Sequence, residues 1–310
     1  MASAETKQST NAVLMIRPYR FFPNPETAAD NTFQKAIAVG EMPAVSAAAQ
    51  REFDAAVEAL RAAGVIVHVI EDTPTPEKPD AVFPNNWFST HPDGRVALYP
   101  MASPARRLER RPEVIEELRQ HYRVTEVVDY SAAEKQERCL EGTGSLVLDY
   151  ENKIAYASLS QRTHPALVRQ FSADFGFEPV TFRSVGVDGR PVYHTNVVMC
   201  VGSDFALIAP GMIPDEAERI GVQNLLESTG KEVIELSAAQ IGEFAGNALE
   251  LQGSAGKLLV MSARGVAALT KNQRQTIERS ARLLPLTLPT IELAGGSARC
   301  MLAAIHLPPP

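Results

Sequence analysis

The sequence predicts an α/β fold in which five ββαβ-type units, related by five-fold pseudosymmetry, close into an α/β propeller. Three observations predict it. Five stretches share one plan: a small or amide-rich corner, an apolar strand, a short turn and a second strand. Their corners recur evenly, with steps of 58, 52, 51 and 51 residues from Asn86 to Gly144, Asn196, Asn247 and Ala298. The fifth stretch has only one strand of its own, and the apolar run NAVLMIRP (11–18) is the strand that would complete it. A mixed α/β period of about 50 residues marks a repeated supersecondary unit. A strand borrowed from the opposite end of the chain leaves the last sheet without an open edge. The alternative is an ordinary α/β domain in which hairpins and helices alternate without a ring.

The elements follow in order. After the closing strand, SAAAQREFDAAVEALRAAG (46–64) carries apolar residues at three-to-four spacing, stops at Gly64 and leads into VIVHVI (65–70). The first hairpin, FPNNWFSTHPDGRVALYPM (83–101), turns at His-Pro-Asp-Gly and is followed by a helix over 110–122 and a strand over 124–128. The second, 142–160, turns at Tyr-Glu-Asn-Lys and precedes a helix over 164–176 and a strand over 178–182. The third, 193–211, turns at Gly-Ser-Asp and precedes a helix over 214–230 and a strand over 231–236. The fourth, 244–263, is followed by a helix over 272–283 that leads toward a strand over 284–293. The last is GGSARCMLAAI (295–305). Residues 11–307 are expected to form one domain and residues 1–10 a disordered tail.

Composition narrows the function. The 310 residues are 45% hydrophobic, enough for a sizeable core. A net charge of -7 and a pI near 5.5 lack the basic footprint of nucleic-acid or anionic-membrane binding. No apolar run approaches the ~18 residues of a membrane span, and MASAETKQST lacks the pattern of a secretory signal. Cys139, Cys200 and Cys300 are three widely spaced cysteines without zinc spacing, which suits a reducing, cytoplasmic setting with no structural metal. The oligomeric state is open, and a homo-oligomer is compatible with the chain.

In a closed ring the equivalent corners face a common axis. Those corners carry Asp80, Asn85, Asn86, Glu141, His194, Asn196, Asn247 and Cys300. A thiol, an imidazole and carboxylates together meet the needs of covalent catalysis near neutral pH. Each has a structural alternative. A buried free cysteine is commonly inert, and Cys139 and Cys200 are read that way. A lone histidine is commonly structural. Glu141, between Leu140 and Gly-Thr-Gly, stands oddly for a solvated glutamate.

These residues resemble the guanidino-group-modifying, or pentein, superfamily of arginine deiminases, dimethylarginine hydrolases, agmatine deiminases and amidinotransferases. GGSARCM (295–301) is similar to its nucleophile corner, CLEGTGSLVL (139–148) to its L-E-G-G-D segment and VYHTNVV (192–198) to its acid/base corner. The resemblance implies Cys300 as nucleophile, His194 as acid/base and Glu141 as the carboxylate beside it. PDAVFPNNWF (79–88) resembles the P-D-x-V-F-x-E-D stretch of dimethylarginine hydrolases, which implies Asp80 as a contact to the planar group. SPARRLER (103–110) and SLSQRTHP (158–165) resemble segments in which Arg106 and Arg162 would hold the substrate α-carboxylate.

Departures from the family shape the substrate expectation. Asn85-Asn86 stand where Glu-Asp is usual, Asn196 where arginine deiminases have aspartate, and Thr143-Gly144 where Gly-Asp is usual. A guanidinium has only donors and favours carboxylates, whereas a ureido group carries a carbonyl that an amide N–H satisfies. The resemblance therefore implies a cysteine-dependent hydrolase without metal or organic cofactor, acting on a small amino acid, with citrulline to ornithine foremost. This agrees with a citrulline-using ureido-hydrolase branch, which IRPYRFFPNPETAADNTFQ (16–34) also resembles. The alternatives are an arginine deiminase, a dimethylarginine hydrolase or an amidinotransferase and, outside enzymes, a binding protein like the ribosome anti-association factor that shares the ring.

Overall fold

A computed structural model describes residues 7–310. Its strands form five small sheets of three. The first unit comprises β1 (Ala12–Arg17), α1 (Met42–Ala62) and β2 (Ile66–Glu71). The second has β3 (Phe88–Thr90), β4 (Arg95–Leu98), α2 (Pro112–His121) and β5 (Glu126–Asp129). The third has β6 (Val147–Asp149), β7 (Ile154–Ser158), α3 (Pro165–Phe175) and β8 (Glu178–Phe182). The fourth has β9 (Met199–Val201), β10 (Phe205–Ile208), α4 (Glu216–Ser228) and β11 (Glu232–Glu235). The fifth has β12 (Leu249–Gly253), β13 (Gly256–Ser262), α5 (Lys271–Ile277) and β14 (Arg282–Leu286).

In each of the last four units the middle strand pairs antiparallel with its hairpin partner and parallel with the strand beyond the helix. A tight turn can only reverse the chain, while a helical crossover returns it parallel. The remaining sheet joins the two ends of the chain. β15 (Ala303–Ala304) runs antiparallel to β1 with Val13 opposite Ala304, and β1 runs parallel to β2. Neighbouring sheets meet through β3 and β15, β6 and β9, and β9 and β12.

The helices cover the outer strands as their spacing predicts. α1 buries Phe53, Ala56, Val57 and Leu60 in a cluster with Val13, Met15, Val67 and Leu302. α3 buries Leu167, Val168, Phe171 and Phe175 in an aromatic-rich cluster with Tyr99, Tyr130, Tyr150 and Phe177. It ends at Gly176, whose positive φ of 70° closes the last turn. Each such buried valine, leucine or phenylalanine contributes roughly 1.5–3 kcal/mol.

Three expectations need correction. The disordered tail placed at 1–10 does not extend through Gln8. That side chain is buried, donating to the Leu148 and Val201 carbonyls at 3.0 Å each and accepting from the Tyr150 amide at 2.8 Å. Residues 1–6 lie outside the described residues. The helix expected over 272–283 stops at Ile277, and its strand occupies Arg282–Leu286 instead of 284–293. Pro285 is tolerated there because β14 is an edge strand, and beyond it the Glu52 carboxylate accepts from the Thr290 and Ile291 amides and turns the chain away. Most of the corners are single helical turns, at Pro84–Asn86, Gly142–Ser145, Thr195–Val198 and Ala298–Met301.

Candidate active site

Because each corner is a tight turn feeding a buried strand, its side chains are held by backbone at both ends. The turns Pro84–Asn86 and Gly142–Ser145 pack together, as do Gly142–Ser145 and Thr195–Val198, and Ala298–Met301 packs on Pro84–Asn86. Between them lies a small cavity. Asp80, Asn86, Arg106, Arg162, His194 and Cys300 line it, with Thr27, Asn31, Phe83, Tyr193, Ala294 and Gly296. Thiol and imidazole, 106 positions apart in sequence (300 − 194), therefore share one space.

His194 is buried and its Nε2 lies 2.8 Å from Glu141 Oε2. Burial lowers the imidazole pKa, and the hydrogen bond and charge of Glu141 oppose that shift. Glu141 sits behind His194, off the cavity wall, and its Oε1 accepts from the Ala102 amide at 2.9 Å. Burial alone would raise its pKa, but Arg162 at 3.6 Å, His194 and Arg106 hold it well below the usual carboxylate range. Glycine at 144 permits this approach. A Cβ there would lie 2.4 Å from Asn86 Nδ2 and 2.7 Å from His194 Nδ1.

Cys300 Sγ lies 3.3 Å from Asn247 Nδ2 and 3.6 Å from Asn196 Nδ2, so two amides from neighbouring units hold the thiol. The Gly-Gly pair before it is needed for shape. Gly295 has φ of 80°, and a Cβ on Gly296 would meet the Phe83 ring at 2.7 Å.

Arg106 commits four of its five N–H donors. It clasps Glu109 with two bonds of 3.0 Å, donates to the Phe83 carbonyl at 3.3 Å and donates to Asn86 Oδ1 at 2.9 Å. Burial pushes the Glu109 carboxyl up to about 7 despite that partner. Arg162 gives two donors to Asp30, at 2.7 and 2.5 Å, and stacks 4.8 Å over the Tyr193 ring. Asp80 accepts from Asn24 Nδ2 at 2.9 Å, and burial raises its pKa against the pull of Arg106 at 3.7 Å.

Six of the nine expected residues thus line the cavity, and Glu141 braces one of them. Asn85 is not on that wall; its Nδ2 reaches Thr143 Oγ1 at 3.3 Å. Asn196 supports the thiol and lines a separate space on its far side with Arg299. The sequence reading did not single out Glu109, Asn24, Asp30 or Phe83. Glu109 stands three residues after Arg106 in a helical stretch, a spacing that signals such a pair. Asn24 and Asp30 lie in an irregular segment whose path no periodicity reveals.

The family model for eukaryotic N,N dimethylarginine dimethylhydrolase matches residues 17–307. Among curated proteins no match was found. The N-terminal domain of ArgZ, an arginine dihydrolase from the ornithine-ammonia cycle in cyanobacteria, was solved bound to substrate. It has a TM-score of 0.74 at 17% identity, covering 96% of this chain and 98% of that one. AgrE in complex with L-arginine has a TM-score of 0.75 at 18% identity, covering 96% of this chain and 40% of that one. This chain spans 41% of the longer ArgZ chain. A dimethylarginine hydrolase (DDAH) from Pseudomonas aeruginosa, complexed with citrulline, has a TM-score of 0.65 at 15% identity, covering 96% of this chain and 99% of that one. At such identities the likeness speaks for the fold, while the family match spans nearly the whole described chain. The chain belongs to the N,N-dimethylarginine dimethylhydrolase family of the guanidino-group-modifying (pentein) superfamily and is a hydrolase acting on non-peptide C–N bonds.

Proposed function

We propose that this chain converts citrulline to ornithine, using Cys300 as nucleophile in a covalent thioenzyme mechanism, and that residues 11–307 act as one closed propeller around that site. One observation carries the substrate choice. Arg106 can only donate, so its bond to Asn86 Oδ1 fixes which way the amide points. Asn86 Nδ2 is then a buried donor without a partner among the described residues. Such a group costs about 1–3 kcal/mol unpaired, and a ureido carbonyl would satisfy it where a guanidinium could not.

The roles follow. Cys300, as thiolate, forms an S–C bond to the ureido carbon, with Asp80 accepting N–H bonds from the planar group. His194 delivers a proton to the departing δ-amine as the C–N bond breaks, releasing ornithine and leaving a carbamoyl-thioenzyme. A water that gives its proton to His194 then adds to the carbonyl, the C–S bond breaks, and the carbamate decomposes to carbon dioxide and ammonia. Glu141 keeps the imidazole oriented and supports its charged form. The substrate α-carboxylate takes the place of Asp30 on Arg162. Arg106, with four of its five N–H donors on Glu109, Phe83 and Asn86, orients Asn86 instead of binding the carboxylate, and Asn85 braces the Gly142 turn.

A guanidino substrate is the second reading, favoured by the Asp80 carboxylate on the cavity wall. Product analysis on a panel of citrulline, arginine, methylarginines and agmatine separates the two. Ornithine and ammonia from citrulline are expected. Citrulline formed from arginine or a methylarginine, with citrulline itself inert, would overturn the ureido reading.

A further inference from the structure

We propose that His68, Glu117 and His121 form a surface site for one borderline transition-metal dication such as Zn²⁺ or Co²⁺, clamping the edge strand β2 to helix α2 of the next unit. The inference stands apart from the catalytic reading. One donor atom from each residue lies within 4.8 Å of the other two. Glu117 and His121 are one turn apart on α2, with Oε1 and Nε2 at 3.1 Å, and the His68 and His121 rings have centroids 4.8 Å apart.

The donor set selects the metal. Two imidazoles and one carboxylate suit zinc, cobalt, nickel or copper, whereas calcium and magnesium require oxygen ligands. Metal–donor bonds of about 2.0–2.2 Å place tetrahedral donors roughly 3.3–3.6 Å apart. His121 and Glu117 are 46% and 37% exposed at the side chain and are free to close the remaining distance. Their exposure also leaves a fourth position for water. The Tyr122 hydroxyl, 2.9 Å from His68 Nε2, holds that ring as outer partners hold metal-binding histidines. Arg61, the nearby cation, is tied to the Val67 carbonyl at 2.9 Å.

The test is calorimetric titration of tag-free protein with Zn²⁺, and Co²⁺ absorption, after alkylation of Cys300 so that its thiol does not compete. One metal per chain is expected, together with a cobalt spectrum lacking thiolate charge transfer and a metal-dependent rise in thermal midpoint. His121→Ala and Glu117→Gln should each weaken binding by at least about tenfold. Unalkylated His121→Ala should keep its basal turnover. No saturable binding, or affinity in both variants unchanged from the parent, would overturn the site.

Discussion

Two buried histidines sit in contrasting regions of this molecule. His194, at the central corners, has a carboxylate at 2.8 Å and faces a cavity. His91, at the first hairpin turn, is enclosed by Phe171, Phe175, Phe177 and Tyr150, and its ring reaches only the Ser89 hydroxyl at 2.9 Å. Its Nδ1 has no partner among the described residues. Burial lowers both imidazoles, His91 far more. The lesson is that burial alone makes a histidine permanently neutral, while burial beside a carboxylate leaves it able to carry a proton for part of a cycle.

The sharpest separation of the two regions comes from Cys300→Ala. Turnover should fall by at least about a thousandfold, while near-ultraviolet circular dichroism from the aromatic cluster around His91 stays unchanged. Substantial residual activity would remove the nucleophile from the central region.

Glu141→Gln makes His194 resemble His91. The proton-supporting charge is lost, so kcat should drop by about a hundredfold. The acid limb of kcat/KM, expected below pH 6.5 in the parent because the imidazole pKa is lowered, should move further down. An acid limb that stays in place would show that His194 does not set it.

Asn86→Asp replaces the buried donor by a carboxylate next to Arg106. Steady-state assays should show citrulline turnover reduced by about tenfold or more and arginine binding improved. An unchanged preference would detach Asn86 from substrate choice.

His91→Phe tests the far region. Activity should stay within about twofold. The sign of the pH effect follows from linkage. The folded pKa of His91 lies below 6.5, so below that pH the unfolded chain binds the extra proton and stability falls as pH drops. Removing the group should therefore flatten the loss of thermal stability between pH 6.5 and 4.5. His306, lowered to about 3 by burial and by Arg299, keeps contributing in the same direction. A steeper loss in the variant would contradict this account.

Much of the scaffold was legible because repetition is visible in one dimension. The even spacing of the corners located four hairpins, and the strand Glu178–Phe182 fell on its expected bounds. The apolar run at 11–18 announced the pairing of β1 with β15. Less was legible where local signals conflict. The strand expected over 284–293 lies at Arg282–Leu286, and Gln8 looked like tail until three long-range bonds fixed it. Arg106 was read for its charge, but its role depends on Glu109 and Asn86, which only packing brings around it.

The amino-acid sequence by itself determined the five units, the residue types at their corners and the glycines that let Asn86 and His194 approach. Periodicity and backbone freedom are local properties, so they survive without coordinates. Tertiary structure alone decided which groups share the cavity, which carboxylate each arginine takes and which way the Asn86 amide points. Those outcomes depend on distances of a few ångströms between segments far apart in the chain, where desolvation and charge act together and no local pattern records the result.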